Sequence, residues 1–506
     1  MPKAQDKESF SFMKFQIKDI KSRPVADGLV LTYFAKEKLD AHVWWKYLRA
    51  ADKKQVQRLL KTKEFSGKIN EVKIILCQPK GKIILFGLGE KNKWTNRKLI
   101  LAIRKIVVTA KAEKVATIAL APDFFVTSKK SITRDAQTIA ENAVMANYEF
   151  TKYKQDQKNN FAIKFVSLFV SKENLVLVKQ GVQVGTVVGE QINDSRDLGN
   201  IPGGEMTPTL LATKAQIAGK EHGFTVKVLG RAEMKKLNMG AILGVAHGSA
   251  EEPKFIVMEY WGGNKKDRPV VLVGKGVTFD TGGLNLKPTG AMSDMHLDMI
   301  GGAAVIAAVG AVAKLKLPVN VVGLVPTVEN MPGSAGFRPG DVLHSMSGKT
   351  IEVVNTDAEG RVILADALTY AERYQPKLIV DIATLTGACA VALGTHCSGL
   401  MTPDTELQNK LQQAGEISGD YLWPLPMWEE YEASIKGTFG DIQNDDRTRN
   451  AGAILGGMFL WQFAKKYPWA HLDIAGPMKS TESECLAKGA NGVGVRVLVE
   501  IVRNYK

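Results

Sequence analysis

Pro269-Val-Val-Leu-Val-Gly274 leads into Lys275-Gly-Val-Thr-Phe-Asp280-Thr-Gly-Gly-Leu-Asn-Leu-Lys287-Pro288, and an alanine-rich stretch, Met299–Leu315, follows. The opening run is apolar without alternation and bounded by Pro and Gly, the pattern of a strand covered on both faces. Met299–Leu315 reads as a helix packed on that strand. Downstream, Val319–Pro326 reads as the next strand, Gly360–Arg373 as a helix, Lys377–Ala383 as a strand and Ala470–Ile474 as a late strand. Continuous apolar strands alternating with helices predict an α/β domain around a mostly parallel mixed sheet with helices on both faces.

Upstream the pattern is similar on a smaller scale. Val72–Cys77 and Lys82–Gly87 predict two strands around the turn Gln78-Pro79-Lys80-Gly81. Leu99–Ala112 reads as a helix, and Val115–Ala121 and Phe161–Val170 as strands. This predicts a small N-terminal α/β domain over residues 1–170, with the polar stretch Thr151–Asn160 as its candidate edge. Residues 171–506 then comprise a linking helix, Asn174–Leu198, and the larger domain. The breaker cluster Asn200-Ile-Pro-Gly-Gly204 ends that helix.

Charge separates the two parts. The 506 residues hold 67 Lys+Arg against 52 Asp+Glu, a net of +15. Residues 1–180 carry 36 basic and 17 acidic side chains, a net of +19, and the remainder is slightly acidic. A nucleic-acid role through residues 1–180 is therefore an alternative reading, since Lys91-Asn-Lys-Trp-Thr-Asn-Arg-Lys98 mixes basic and aromatic residues. A solvated basic face is the plainer one, and no recognised nucleic-acid motif accompanies the charge.

Four cysteines, none in a C-x-x-C pair, exclude a disulfide scaffold and a zinc ribbon. They suggest reduced thiols in the cytoplasm. Met1–Phe15 lacks an apolar core and reads as no secretory signal. The longest uncharged run, Ile382–Pro403, is too polar for a membrane helix and reads as a buried strand, a turn and a helix, so no membrane partner is expected.

His-Glu-x-x-His, Gly-x-Ser-x-Gly and Walker A motifs are absent, and Phe279 breaks the dinucleotide fingerprint that Gly274-Lys-Gly276 begins. Two acidic segments remain. Lys275 and Asp280 follow a buried strand, where open α/β sheets bind ligands, and Asp298 precedes the alanine-rich helix. Val354-Asn-Thr-Asp357-Ala-Glu359-Gly-Arg361 supplies two carboxylates whose spacing lets them share a face in extended backbone. Four converging carboxylates repel one another unless cations compensate. Lysines and an arginine could do this. Two divalent metals, about 3.5–4 Å apart, would do it better, and oxygen ligands suit Mg, Mn or Zn.

Asn355-Thr-Asp-Ala-Glu-Gly-Arg361 resembles the signature of the leucyl aminopeptidase family of dinuclear metallo-exopeptidases. Lys275–Asp298 and Ala383-Thr-Leu-Thr-Gly-Ala388 match the family in order and spacing, and the resemblance covers about residues 190–500. It implies that Asp280 and Glu359 bridge two metals, Mn or Zn, that Lys275 and Asp298 complete one site, and that Asp357 completes the other. Lys275 would have to bind as a neutral amine, with a pKa depressed by the metals and by partial burial. Lys287 would stabilise the oxyanion, and Arg361 would hold a bicarbonate that accepts the proton. Met295, Asn355, Thr384, Leu385 and Gly387 would line the substrate site. The implied activity removes N-terminal residues, preferably Leu or other apolar ones, from peptides, by means of a hydroxide bridging the two metals. The implied assembly is a homohexamer. A metal-binding protein without catalysis is the remaining rival, and Lys287 and Arg361 argue against it because neither is needed to hold metal.

Overall fold

A computed structural model describes residues 13–505 except 39, 41, 78–80, 125–130, 157–159, 447 and 449. The expected turn at Gln78-Pro79-Lys80-Gly81, most of Met1–Phe15 and part of Thr151–Asn160 thus fall outside the described residues. The chain divides into two units. One comprises residues up to Glu190 with Thr481–Ala487, and the other Gln191–Ser480 with residues from Lys488 onward.

The first unit is built on six strands: β1 (Lys14–Asp19), β2 (Gly28–Phe34), β3 (Val72–Leu76), β4 (Lys82–Gly89), β5 (Thr117–Leu120) and β6 (Phe165–Val170). Their order is β1-β6-β5-β2-β4-β3, parallel except for the β3–β4 pair. Helices Asn96–Ala112 and Ile132–Asn147 bury their apolar residues with one face of the sheet, and the helix Ala50–Lys61 packs into a separate apolar cluster with Trp44 and Phe169. Thr95 caps the first of these helices, its side chain accepting from the Lys98 N–H. The helix Leu175–Asn200 runs from this unit into the second.

The second unit holds a nine-stranded mixed sheet: β7 (Thr225–Leu229), β8 (Lys254–Trp261), β9 (Val270–Gly274), β10 (Gly276–Asp280), β11 (Asn320–Asn330), β14 (Leu378–Ala383), β15 (Ser398–Met401), β16 (Leu422–Pro424) and β18 (Trp469–Asp473). The short strands β12 (Val342–His344), β13 (Thr350–Glu352) and β17 (Ile442–Gln443) form a separate sheet. In the large sheet the order is β16-β15-β18-β14-β9-β11-β8-β7, with β10 beside β11. Its centre, β18-β14-β9-β11, is parallel, and β7, β8 and β15 bring the antiparallel pairings. The predicted parallel core is therefore present, and the antiparallel additions are the strands that alternation did not reveal.

Every residue of β9 and β14 is buried, Asp381 included, as strands covered on both faces require. Helix Ile300–Lys314 is buried through Ala313. Together with Met295–Met299 it is long and apolar enough to cross a membrane, yet 89% of that window lies inside the fold, so it is a core helix. Ile382–Pro403 resolves into the end of β14, a short helix Gly387–Leu393 and β15, close to the expected reading.

Candidate metal centre

β9 has β11 on one side and β14 on the other. Chain order departs in opposite directions from it, which opens a crevice at the carboxyl ends of these strands. Lys275 leaves β9 there, Asp280 ends β10, Asn330 ends β11 and Thr384 follows β14. Glu359 opens the helix Glu359–Ala371, and Asp298 lies just before the helix Ile300–Lys314. Asp357 and Glu359 were expected to share a face of extended backbone. Instead Asp357 sits in a turn and Glu359 in the first helical turn, so the bend at Ala358 brings the two together.

The site has two linked halves. Lys275 Nζ lies 2.8 Å from Asp298 Oδ2 and 2.8 Å from Glu359 Oε1, and it donates to the Thr384 carbonyl at 3.1 Å. Lys287 Nζ lies 2.7 Å from Asp280 Oδ2 and 2.5 Å from Asp357 Oδ1. Asp280, Asp357 and Glu359 join the halves, each offering an oxygen within 4.8 Å of the others. Glycine makes the close approach feasible. A Cβ on Gly360 would lie 2.7 Å from Lys275 Nζ, and Gly282 and Gly283 turn the chain after Asp280 at φ of 87° and 61°.

Charge is concentrated here. Burial works against the Lys275 ammonium, but Asp298, Glu359 and Asp280 outweigh it and raise its pKa. Lys275 is fully buried, not partly, and the protein's own carboxylates oppose the depression that metal binding requires. Lys287 is raised in the same way by Asp280, Glu359 and Asp357 against its burial. Burial and repulsion from Asp280 raise Glu359, and burial raises Asp298 and Asp357.

The acids outnumber the lysines. Glu359 Oε2 is buried with no hydrogen-bond partner among the described residues, and Asp298 Oδ2, Glu359 Oε1 and Asp357 Oδ1 are met by the two lysine ammonium groups alone. Buried carboxylate oxygens left in this way, next to an amine, make a donor set that fits divalent cations.

The remaining expected residues lie around this centre. Thr384 is in it, its hydroxyl donating to Asp298 Oδ1 at 2.6 Å. Half-buried Leu385 and exposed Gly387 follow on the next turn, and half-buried Met295 lies one turn before Asp298. The Asn355 side chain accepts from the Asp357 N–H and donates to Asp445 Oδ2 at 2.8 Å. Buried Arg361 points elsewhere than the two lysines: Nη1 donates to the Asn444 carbonyl at 2.8 Å and lies 3.8 Å from Asp445 Oδ1.

Several supporting residues were not anticipated. Asn330 donates to Asp280 Oδ1 at 2.8 Å and pairs with Asp280 in register across β10 and β11. The strand-end rule that singled out Lys275 would have found it. The Asp473 carboxylate accepts from the Thr386 hydroxyl at 2.7 Å and the Leu385 N–H at 3.2 Å, fixing the turn after β14. Asn444 and Asp445 lie in an irregular segment and carry no local pattern.

Two family models match the chain: the cytosol aminopeptidase family catalytic domain over residues 193–499, and the N-terminal domain of the same family over residues 30–157. A protein of Nitrosococcus oceani named probable cytosol aminopeptidase is 41% identical over 479 residues, covering 94% of each chain. A protein of the same name from Aromatoleum aromaticum is 44% identical over 433 residues, 83% of this chain and 84% of that one. Among solved structures, the bottromycin maturation enzyme BotP in complex with Mn superposes with a TM-score of 0.83 at 30% identity, covering 95% of this chain and 100% of that one. With both family domains matched and relatives above 40% identity over most of the chain, the chain belongs to the cytosol aminopeptidase family and is a hydrolase of the leucyl aminopeptidase type.

Proposed function

We propose that this aminopeptidase depends on two divalent cations, Mn or Zn, and that it releases N-terminal Leu and other apolar residues from peptides. The observation that carries the reading is the convergence of buried Asp280 and Glu359 with the partly exposed Asp357, with Lys275 and Asp298 alongside. Asp280, Glu359, Lys275, Asp298 and Asp357 would hold the cations. When bound, the cations supply Lewis acidity and a nucleophile at neutral pH.

The protein's own residues account for the rest. The Lys287 ammonium, held between Asp280 and Asp357, is a donor for the developing oxyanion. Arg361 would hold a bicarbonate that takes up the proton. Met295 and Leu385 give the first-residue pocket an apolar wall, and Asn355, Thr384 and Gly387 would contact the peptide. Residues 171–506 would carry this chemistry, and the basic residues 1–170 would serve assembly, in a homohexamer, in the cytoplasm.

The test is leucine-amide hydrolysis by chelator-stripped protein. Activity should be absent after stripping and return on addition of Mn or Zn. Undiminished activity after complete stripping would overturn the metal assignment.

A further inference from the structure

Arg361 is buried, but its charge is not isolated. Burial lowers its pKa, and Asp445 is the foremost of the carboxylates that oppose this. Asp445 Oδ1 lies 3.8 Å from Arg361 Nη1, too long for a hydrogen bond and close enough for attraction, with the guanidinium buried and the carboxylate 24% exposed. Its other oxygen accepts from Asn355 Nδ2 at 2.8 Å, and Oδ1 accepts from the Asp446 N–H at 3.0 Å. Two donors therefore fix the carboxylate beside the guanidinium. Meanwhile Arg361 Nε is buried with no hydrogen-bond partner among the described residues. The guanidinium thus keeps capacity for an anion while already facing one.

We propose that Asp445 is a built-in anion of this site, a protein carboxylate that shares Arg361 and competes there with exogenous bicarbonate. The proposal rests on the reading of Arg361 as the bicarbonate-holding residue. Two like charges at one guanidinium repel, so a free anion binds more weakly than it would to Arg361 alone. Asp445 would itself take up the proton that the bicarbonate on Arg361 was proposed to take, so the enzyme should depend little on dissolved bicarbonate. Asn355, placed above beside the substrate, is also the residue that holds Asp445 in position.

The experiment titrates ¹³C-bicarbonate into the metal-free protein and into Asp445→Asn, following line broadening. Asparagine keeps the size of the side chain and removes its charge. The affinity should rise about tenfold in the variant; equal affinities would overturn the proposal. In parallel, leucine-amide hydrolysis by the metal-loaded protein should change less than about twofold on bicarbonate depletion, whereas Asp445→Asn should lose activity and regain it on addition. Matching bicarbonate responses would count against the proposal. If neither protein hydrolysed leucine amides, the aminopeptidase mechanism would fail, and the titration would still decide the role of Asp445.

Discussion

The two units use charge in opposite ways. In the first, cations lie mostly on the surface: Lys91 pairs with Glu37 while their side chains remain 71% and 45% exposed. In the second, Lys275 and Glu359 pair at 4% and 1% exposure. Exposed pairs are screened by water and contribute little, whereas buried ones are costly unless something compensates them. The first unit also buries an arginine, Arg104, but it donates to the neutral Asn142 side chain and the Glu484 carbonyl. Lys275 and Lys287 of the second unit instead face two carboxylates each. The difference teaches that the +19 of the first third says little about chemistry, and that the informative charges are those removed from water.

Substitutions can break or sharpen this contrast. The largest effect is expected at Lys287, where Lys287→Ala should lower kcat about 100- to 1,000-fold with metal content unchanged; steady-state kinetics with metal analysis would check both. Next is the pH dependence of metal loading. Lys275, Glu359 and Asp298 all hold protons more tightly than usual, and cations must displace those protons. Affinity should therefore rise with pH, by up to about tenfold per unit for each proton released. Calorimetric titration in buffers of different ionisation heat would count the protons, and a flat profile would contradict the assignment.

A smaller effect is expected for Gly360→Ala, which places a methyl group against Lys275. Overpacking of this kind costs about 1–3 kcal/mol, readable in the thermal midpoint and in weakened Mn binding. The smallest belongs to the first unit: Lys91→Ala should leave both midpoint and activity unchanged, because water already solvates that pair. A clear loss of either would contradict the proposed division.

Much of the fold was legible in the sequence because buried parallel strands are written as mostly apolar runs, as in Val270–Gly274 and, apart from Asp381, Leu378–Ala383. Lys275 and Asp280 of the candidate centre could be picked out because they follow such runs. What escaped reading depends on long-range pairing. β7 and β8 join the sheet antiparallel at its edge, and only Lys275 separates β9 from β10. The convergence of Asp357 and Glu359 came from a helix start, which spacing alone does not separate from a strand. Asp445 reaches Arg361 across 84 residues of sequence, through a segment with no regular period.

The central claim is that the buried carboxylates bind two cations on which hydrolysis depends. The most direct measurement is the metal content of the purified, Mn-saturated protein and of Glu359→Ala, taken with leucine-amide hydrolysis and circular dichroism on the same samples. Two ions per chain and activity are expected in the parent protein, and fewer ions, no hydrolysis and an unchanged fold in the variant. Two tightly held ions with full activity in Glu359→Ala would contradict it.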